Sequence, residues 1–170
     1  MLSAMGTCLH APGYEVRGGV DLASIPLELV ANVPGIVIPV KASIRREILP
    51  DALDAPARLG GRAVLLWTGW DTRWGTGSYR DPGPYLSEQA AEMLAAAGPK
   101  LVGVDLPNVD DVMGLPRPVH ARLLGVGIPI VEHLTNLGAL PTRGFRFFAV
   151  PLRITRGTSV PVRAFAEVGE

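Results

Sequence analysis

Glycine and proline punctuate this chain so densely, with 20 and 16 among 170 residues, that no long uninterrupted helix fits it. Proline removes a backbone donor and clashes with the preceding turn, and glycine opens the left-handed region. The pattern therefore predicts short elements joined by tight connections. Between the breakers lie brief apolar runs rich in β-branched residues. Gly35-Ile-Val-Ile-Pro-Val40 reads as a buried strand that Pro39 pushes toward an edge or toward its own end. Arg62-Ala-Val-Leu-Leu-Trp67 and Lys100-Leu-Val-Gly-Val-Asp105 read as further strands. Residues 145–154 and 160–168 suggest a final antiparallel pair joined by Arg156-Gly157-Thr158. One helix is well specified: Ser87 is its N-cap, Ala90, Leu94 and Ala97 share one face, and Gly98 stops it. Residues 21–29 read as a short helix, and residues 43–59, broken by Pro50 and Pro56, as one or two helical turns. Strand, loop and helix alternate, so the expectation is a layered α/β or α+β fold in a single domain spanning 1–170.

The apolar fraction is 48%, and 16 basic residues balance 16 acidic ones. An acidic disordered chain is thereby excluded. Arg45-Arg46 is the only adjacent basic pair, so no stripe invites phosphate backbones and no nucleic-acid partner is expected. Cys8 is the only cysteine, which excludes an intramolecular disulfide and fits a reducing cytoplasm. No apolar run reaches bilayer length, and the N-terminus lacks the regions of a signal peptide. The expectation is a cytoplasmic protein with no membrane contact, a small-molecule substrate and no organic cofactor.

Candidate chemistry gathers in three stretches. His120-Ala-Arg-Leu-Leu-Gly-Val-Gly-Ile-Pro-Ile-Val-Glu132 sets an imidazole and a carboxylate near the ends of an apolar segment, and they meet only if Gly125, Gly127 and Pro129 fold it back. A strand over residues 7–11 would point Cys8 and His10 to the same face. The long loop of residues 68–86 carries Trp70, Trp74, Tyr79 and Tyr85, which could wall a pocket for a flat ligand, with Arg73 or Arg80 to meet a carboxylate. The same rings could equally anchor the loop to the core. Asp105 and Asp110 either line the loop above the third strand or serve as turn and capping residues.

The order of these pieces resembles the cyclase family, which includes the bacterial kynurenine formamidases and isatin hydrolases. The resemblance runs over nearly the whole chain, through Leu65-Leu66-Trp67-Thr68-Gly69-Trp70, Leu101-Val102-Gly103-Val104-Asp105, the His120 to Glu132 segment, Phe148-Ala149-Val150-Pro151-Leu152 and Pro161-Val162-Arg163-Ala164. It implies a swivelling β/β/α fold, in which a mixed sheet packs with few helices. It also implies a site often holding two zinc or manganese ions, hydrolysis of an amide or lactam, and a homodimer or larger homo-oligomer. The family's signature H-x-G-T-H-x-D-x-P-x-H corresponds here to Ala4-Met5-Gly6-Thr7-Cys8-Leu9-His10-Ala11-Pro12-Gly13-Tyr14. Two ligand histidines are replaced by Ala4 and Cys8, the bridging aspartate by His10, and the last histidine, which resembles a general acid/base in the family, by Tyr14. His120 and Glu132 match outright. The chain starts immediately before this motif, so the domain is expected to lack the family's N-terminal strands.

These substitutions remove one ligand and the bridge, which argues against a dinuclear centre. A single zinc could be held by Cys8, His10, His120 and Glu132; with all four bound the site is closed and structural, whereas a free Glu132 leaves an open position for water and serves as its base, with Tyr14 to protonate the leaving group. A metal-free alternative uses Cys8 as nucleophile, His10 or His120 as its base and Glu132 to orient the imidazole. Two further possibilities stay open: a pocket repurposed for cyclisation or isomerisation in a biosynthetic pathway, and a chain that has lost its chemistry and binds a ligand or partner.

Overall fold

The structure, a computed structural model, describes residues 6–40, 46–53, 58–114 and 116–169. Its strands are β1 (Cys8–His10), β2 (Val33–Pro39), β3 (Glu47–Ile48), β4 (Ala63–Trp67), β5 (Tyr85–Leu86), β6 (Leu101–Val104), β7 (Ile130–Glu132), β8 (Phe145–Phe148), β9 (Ser159–Pro161) and β10 (Phe165–Val168). Two α-helices accompany them, α1 (Glu88–Ala97) and α2 (Pro118–Gly125).

Eight strands make one mixed sheet in the order β10-β8-β2-β4-β6-β7-β1-β9. Its centre, β2-β4-β6-β7, is parallel, which demands crossovers; α1 carries the chain from β4 to β6 and α2 from β6 to β7. The flanks are antiparallel, with β1 and β9 beyond β7, and β8 and β10 beyond β2. β3 and β5 form a separate parallel pair.

Alternation along each strand divides the core in two. Val64, Leu66, Val102, Val104 and Ile130 face the helices and pack on Ala90, Ala91, Leu94, Leu123 and Leu124. Leu9, Ala63, Leu65, Leu101 and Val131 face the other way, against Phe145, Phe147 and Leu134. Each fully buried leucine contributes about 1.5–3 kcal/mol. Where the second face closes most tightly, glycine is required: a Cβ on Gly35 would stand 2.0 Å from the Phe145 ring. This is the mixed sheet with few helices that the resemblance implies.

The best-specified helix forms as expected: Ser87 Oγ accepts from Ala90 N–H at 3.1 Å, and Gly98 ends α1 with φ 66°. Pro39 is the last residue of β2, which is an inner strand. Three expectations need correction. Residues 21–29 form turns and a 3-10 turn at Leu27–Leu29 instead of a helix, because Pro26 interrupts them. β8 stops at Phe148, before Pro151, and pairs with β10, whereas β9 crosses to the opposite edge and pairs with β1. Residues 156–158 are therefore no hairpin turn. In the stretch 43–59, residues 43–45 and 54–57 lie outside the described residues, as does Ala4; the described part holds β3 and a 3-10 turn at Pro50–Ala52. Among the described residues, no helix is long and apolar enough to cross a membrane.

Candidate metal centre and active site

β1 and β7 run antiparallel, with Cys8 opposite Glu132 and His10 opposite Ile130. Alternation turns Leu9 and Val131 into the second core and leaves Cys8, His10 and Glu132 on the helix face. α2 closes over them. It ends at Gly125, the chain reverses through Gly127 at φ 82°, and Pro129 leads straight into β7. His120 is thereby folded back onto Glu132 through Gly125, Gly127 and Pro129, the turn on which their meeting depends.

The resulting cluster is buried and close. His10 Nε2 lies 3.0 Å from Glu132 Oε2, Cys8 Sγ lies 3.4 Å from His10 Nε2, and His120 Nε2 lies 3.5 Å from Glu132 Oε1. All four side chains are buried, His120 completely. Glu132 Oε1 also accepts from the backbone N–H of Val109 at 2.8 Å. Burial alone would raise the Glu132 carboxyl, but the His10 hydrogen bond, the nearby His10 and His120 charges and the Val109 N–H outweigh it and hold the carboxyl below its ordinary value. Burial first, and then the Glu132 charge, push the Cys8 thiol up to about 12. Such a thiol stays protonated at neutral pH in the metal-free chain, which speaks against Cys8 as a free nucleophile.

Asp110 supplies what the sequence left between lining a loop and capping. Its carboxylate accepts from Val119 N–H at 2.7 Å and His120 N–H at 3.1 Å, two orphan amides of the first turn of α2. It also lies 2.6 Å from His120 Nδ1. Tyr14 completes the wall, its ring centroid 4.5 Å from that of His10 and 5.6 Å from that of His120. Arg117 Nη1 donates to the Tyr14 hydroxyl at 2.7 Å.

A cleft of about 800 Å³ is lined by Trp74, Tyr79, Arg80, Pro107 and His133, the residue after Glu132, together with small loop residues. Trp74 and Tyr79 thus stand where a pocket was expected. Trp70 and Arg73 do not: the guanidinium of Arg73 stacks 3.9 Å from the Trp70 ring, and Trp70 Nε1 donates to the Tyr79 carbonyl. These two anchor the loop instead. Asp105 holds its start, accepting from the backbone N–H groups of Thr68, Gly69 and Trp70. His133 was not singled out by sequence, because its neighbour Tyr79, whose hydroxyl lies 2.8 Å from Nδ1, is distant in the chain.

One donor atom each from Cys8, His10 and Glu132 lie within 4.8 Å of one another, and among the described residues they are the only such group of three. Ligands around one tetrahedral zinc are about 3.3–3.7 Å apart, given bonds of ~2.0–2.3 Å. The 3.0 and 3.4 Å separations here are close to that range. His120 Nε2 is buried with no hydrogen-bond partner, facing Glu132. An orphaned imidazole nitrogen beside a sulfur, a nitrogen and a carboxylate fits a metal ion well. His120 stands outside the trio, so the expected four-ligand set is three residues with a fourth nearby.

The Cyclase family model matches residues 1–111. A kynurenine formamidase of Salinibacter ruber (strain DSM 13855 / M31) is 30% identical over 163 residues, covering 94% of this chain and 73% of that protein. The chain belongs to the cyclase family. Solved structures of this family agree with its fold: an isatin hydrolase bound to the product analogue thioisatinate superposes with a TM-score of 0.85 at 24% identity, covering 100% of this chain and 74% of its own. A potential metal-dependent hydrolase with cyclase activity gives 0.79 at 26% identity, covering 96% and 78%.

Proposed function

We propose that this chain hydrolyses the C–N bond of a small aromatic amide or lactam, using a single zinc ion held by Cys8, His10 and Glu132. The observation that carries the reading is the convergence of these three donors with the unpartnered Nε2 of His120. The sulfur and nitrogen donors favour zinc over manganese, and three protein ligands leave a fourth position open for water and substrate. When bound, the ion supplies a polarised carbonyl and a water whose pKa falls toward ~7. The formamidase and isatin hydrolase relatives support the choice of an aryl formamide or a lactam.

The chain's own residues do the rest. Asp110 accepts from His120 Nδ1–H, so Nε2 carries the lone pair and takes the proton of the attacking water. Glu132, 3.5 Å away, stabilises the imidazolium that forms. Tyr14 gives its phenolic proton to the leaving nitrogen. Trp74, Tyr79 and His133 hold the aromatic ring in the adjacent cleft. A reducing cytoplasm suits the site, since Cys8 binds metal only as a free thiolate.

Turnover of N-formylaniline and of isatin by the zinc-loaded protein tests the reading, with Glu132→Gln as control. At least a 100-fold loss in that variant is expected. A zinc-loaded wild-type chain that opens neither substrate refutes it.

A further inference from the structure

Tyr14 and Arg117 form a pair that the metal cluster does not explain. The phenolic oxygen lies 2.7 Å from Arg117 Nη1, and the guanidinium carbon lies 5.8 Å from the ring centroid. A guanidinium only donates, so the Tyr14 oxygen is the acceptor and its own proton must be directed elsewhere. Among the described residues, that oxygen has no other polar partner. The O–H is left for a group that the described residues do not supply. It sits on a ring whose other neighbours are the His10 and His120 imidazoles, at 4.5 and 5.6 Å between centroids.

Arg117 is held stiffly. Pro116 and Pro118 flank it in the sequence, and Pro118 is the first residue of α2, the helix that carries His120. Proline fixes its own φ and restricts the residue before it, so the guanidinium is presented from a backbone with little freedom.

We propose that Arg117 is a positioning residue that fixes Tyr14 so that its phenolic proton passes to the nitrogen leaving from the substrate. This rests on the hydrolytic reading above. In the step, the C–N bond breaks, its electron pair stays on nitrogen, and nitrogen takes the Tyr14 proton. Water has by then bonded its oxygen to the carbonyl carbon and given a proton to His120. Tyr14 regains a proton from solvent and His120 releases one, so one water is consumed and an acid and an amine are formed. Between those events the guanidinium of Arg117 lies beside the oxygen carrying the negative charge.

Leaving groups of different basicity test this in the zinc-loaded protein. N-formylaniline needs its nitrogen protonated to depart, whereas the 4-nitrophenolate of 4-nitrophenyl formate leaves without a proton. Tyr14→Phe is expected to lower kcat on the anilide about 100-fold and Arg117→Gln about tenfold, with KM and ester turnover changed less than about twofold. Arg117→Lys restores part of the loss, and the double variant is no slower than Tyr14→Phe alone. Equal losses on both substrates, or additive losses in the double variant, overturn the proposal while leaving the hydrolase reading intact. A zinc-loaded wild-type chain that hydrolyses neither of these substrates nor isatin brings down both readings.

Discussion

Asp110 Oδ2 sits 2.6 Å from His120 Nδ1, and the same carboxylate receives the first amides of α2. One side chain therefore caps a helix and sets the orientation of an imidazole on it. Asp110→Asn keeps the shape but loses the charge. The variant is expected to lose about 1–3 kcal/mol of stability and 10- to 100-fold in activity, the range typical of residues that orient a catalytic imidazole. Urea denaturation and steady-state kinetics read the two effects separately; an unchanged kcat would show that His120 needs no such support.

Metal retention should grade the ligands. Wild-type protein is expected to keep about one zinc after dialysis against a weak chelator, and Cys8→Ala or Glu132→Gln to lose it. His120→Ala should keep most of its metal while losing activity, because His120 stands outside the three-donor group. Elemental analysis decides this. Equal metal loss in all three variants would make His120 a ligand of the same rank.

Acid should weaken the metal-free chain in two stages. Burial holds His133 below its ordinary 6.5. Glu132 is held below its ordinary 4.5, where the His10 hydrogen bond, the His10 and His120 charges and the Val109 N–H overcome a burial that would raise it. Both groups resist protonation when folded, so the unfolded chain binds more protons and each contribution is lost as pH falls. The first loss begins below about 6.5 and the second below about 4.5. Urea midpoints measured from about pH 7.5 to about pH 4 should fall accordingly, and His133→Asn should remove the first decline. A midpoint that stays level across that range contradicts the account.

The aromatic cleft should bind and not react. Trp74→Ala removes an exposed wall of it, 48% accessible. KM for an aromatic substrate is expected to rise about tenfold with kcat nearly constant, the pattern of lost uniform binding. Steady-state kinetics check this, and a fall confined to kcat would place Trp74 in the chemistry.

Gly35 tests the second core. A methyl group there would meet Phe145 Cε2 at 2.0 Å and Cδ2 at 2.7 Å, in the middle of the sheet. Gly35→Ala is expected to cost about 1–3 kcal/mol, the usual penalty of overpacking. Thermal unfolding measures it, and Phe145→Leu in the same chain should recover part of the loss.

Local pattern was enough for the elements whose signals are local. The strands β2, β4 and β6 could be read from β-branched apolar runs, and α1 from Ser87 and Gly98, because period and capping act within a few residues. The same-face placement of Cys8 and His10 followed from alternation, whereas Gly125, Gly127 and Pro129 told only how His120 and Glu132 could meet, not that they do. Pairing over long distances was not readable in this way. β9 joins β1 at one edge while β10 joins β8 at the other, and neither choice is written in residues 145–168 themselves. The division of the aromatic loop was equally hidden. Trp74 and Tyr79 line the cleft while Trp70 and Arg73 stack on each other, since four side chains of one loop differ only in what the sheet places beside them. By itself, then, the sequence determined which residue types could hold a metal and on which face of a strand they stand. Only the tertiary structure decided that Cys8, His10 and Glu132 converge, with Asp110 and Arg117 behind their neighbours, because those contacts join segments whose meeting depends on the register of β1 against β7 and on α2 packing across it.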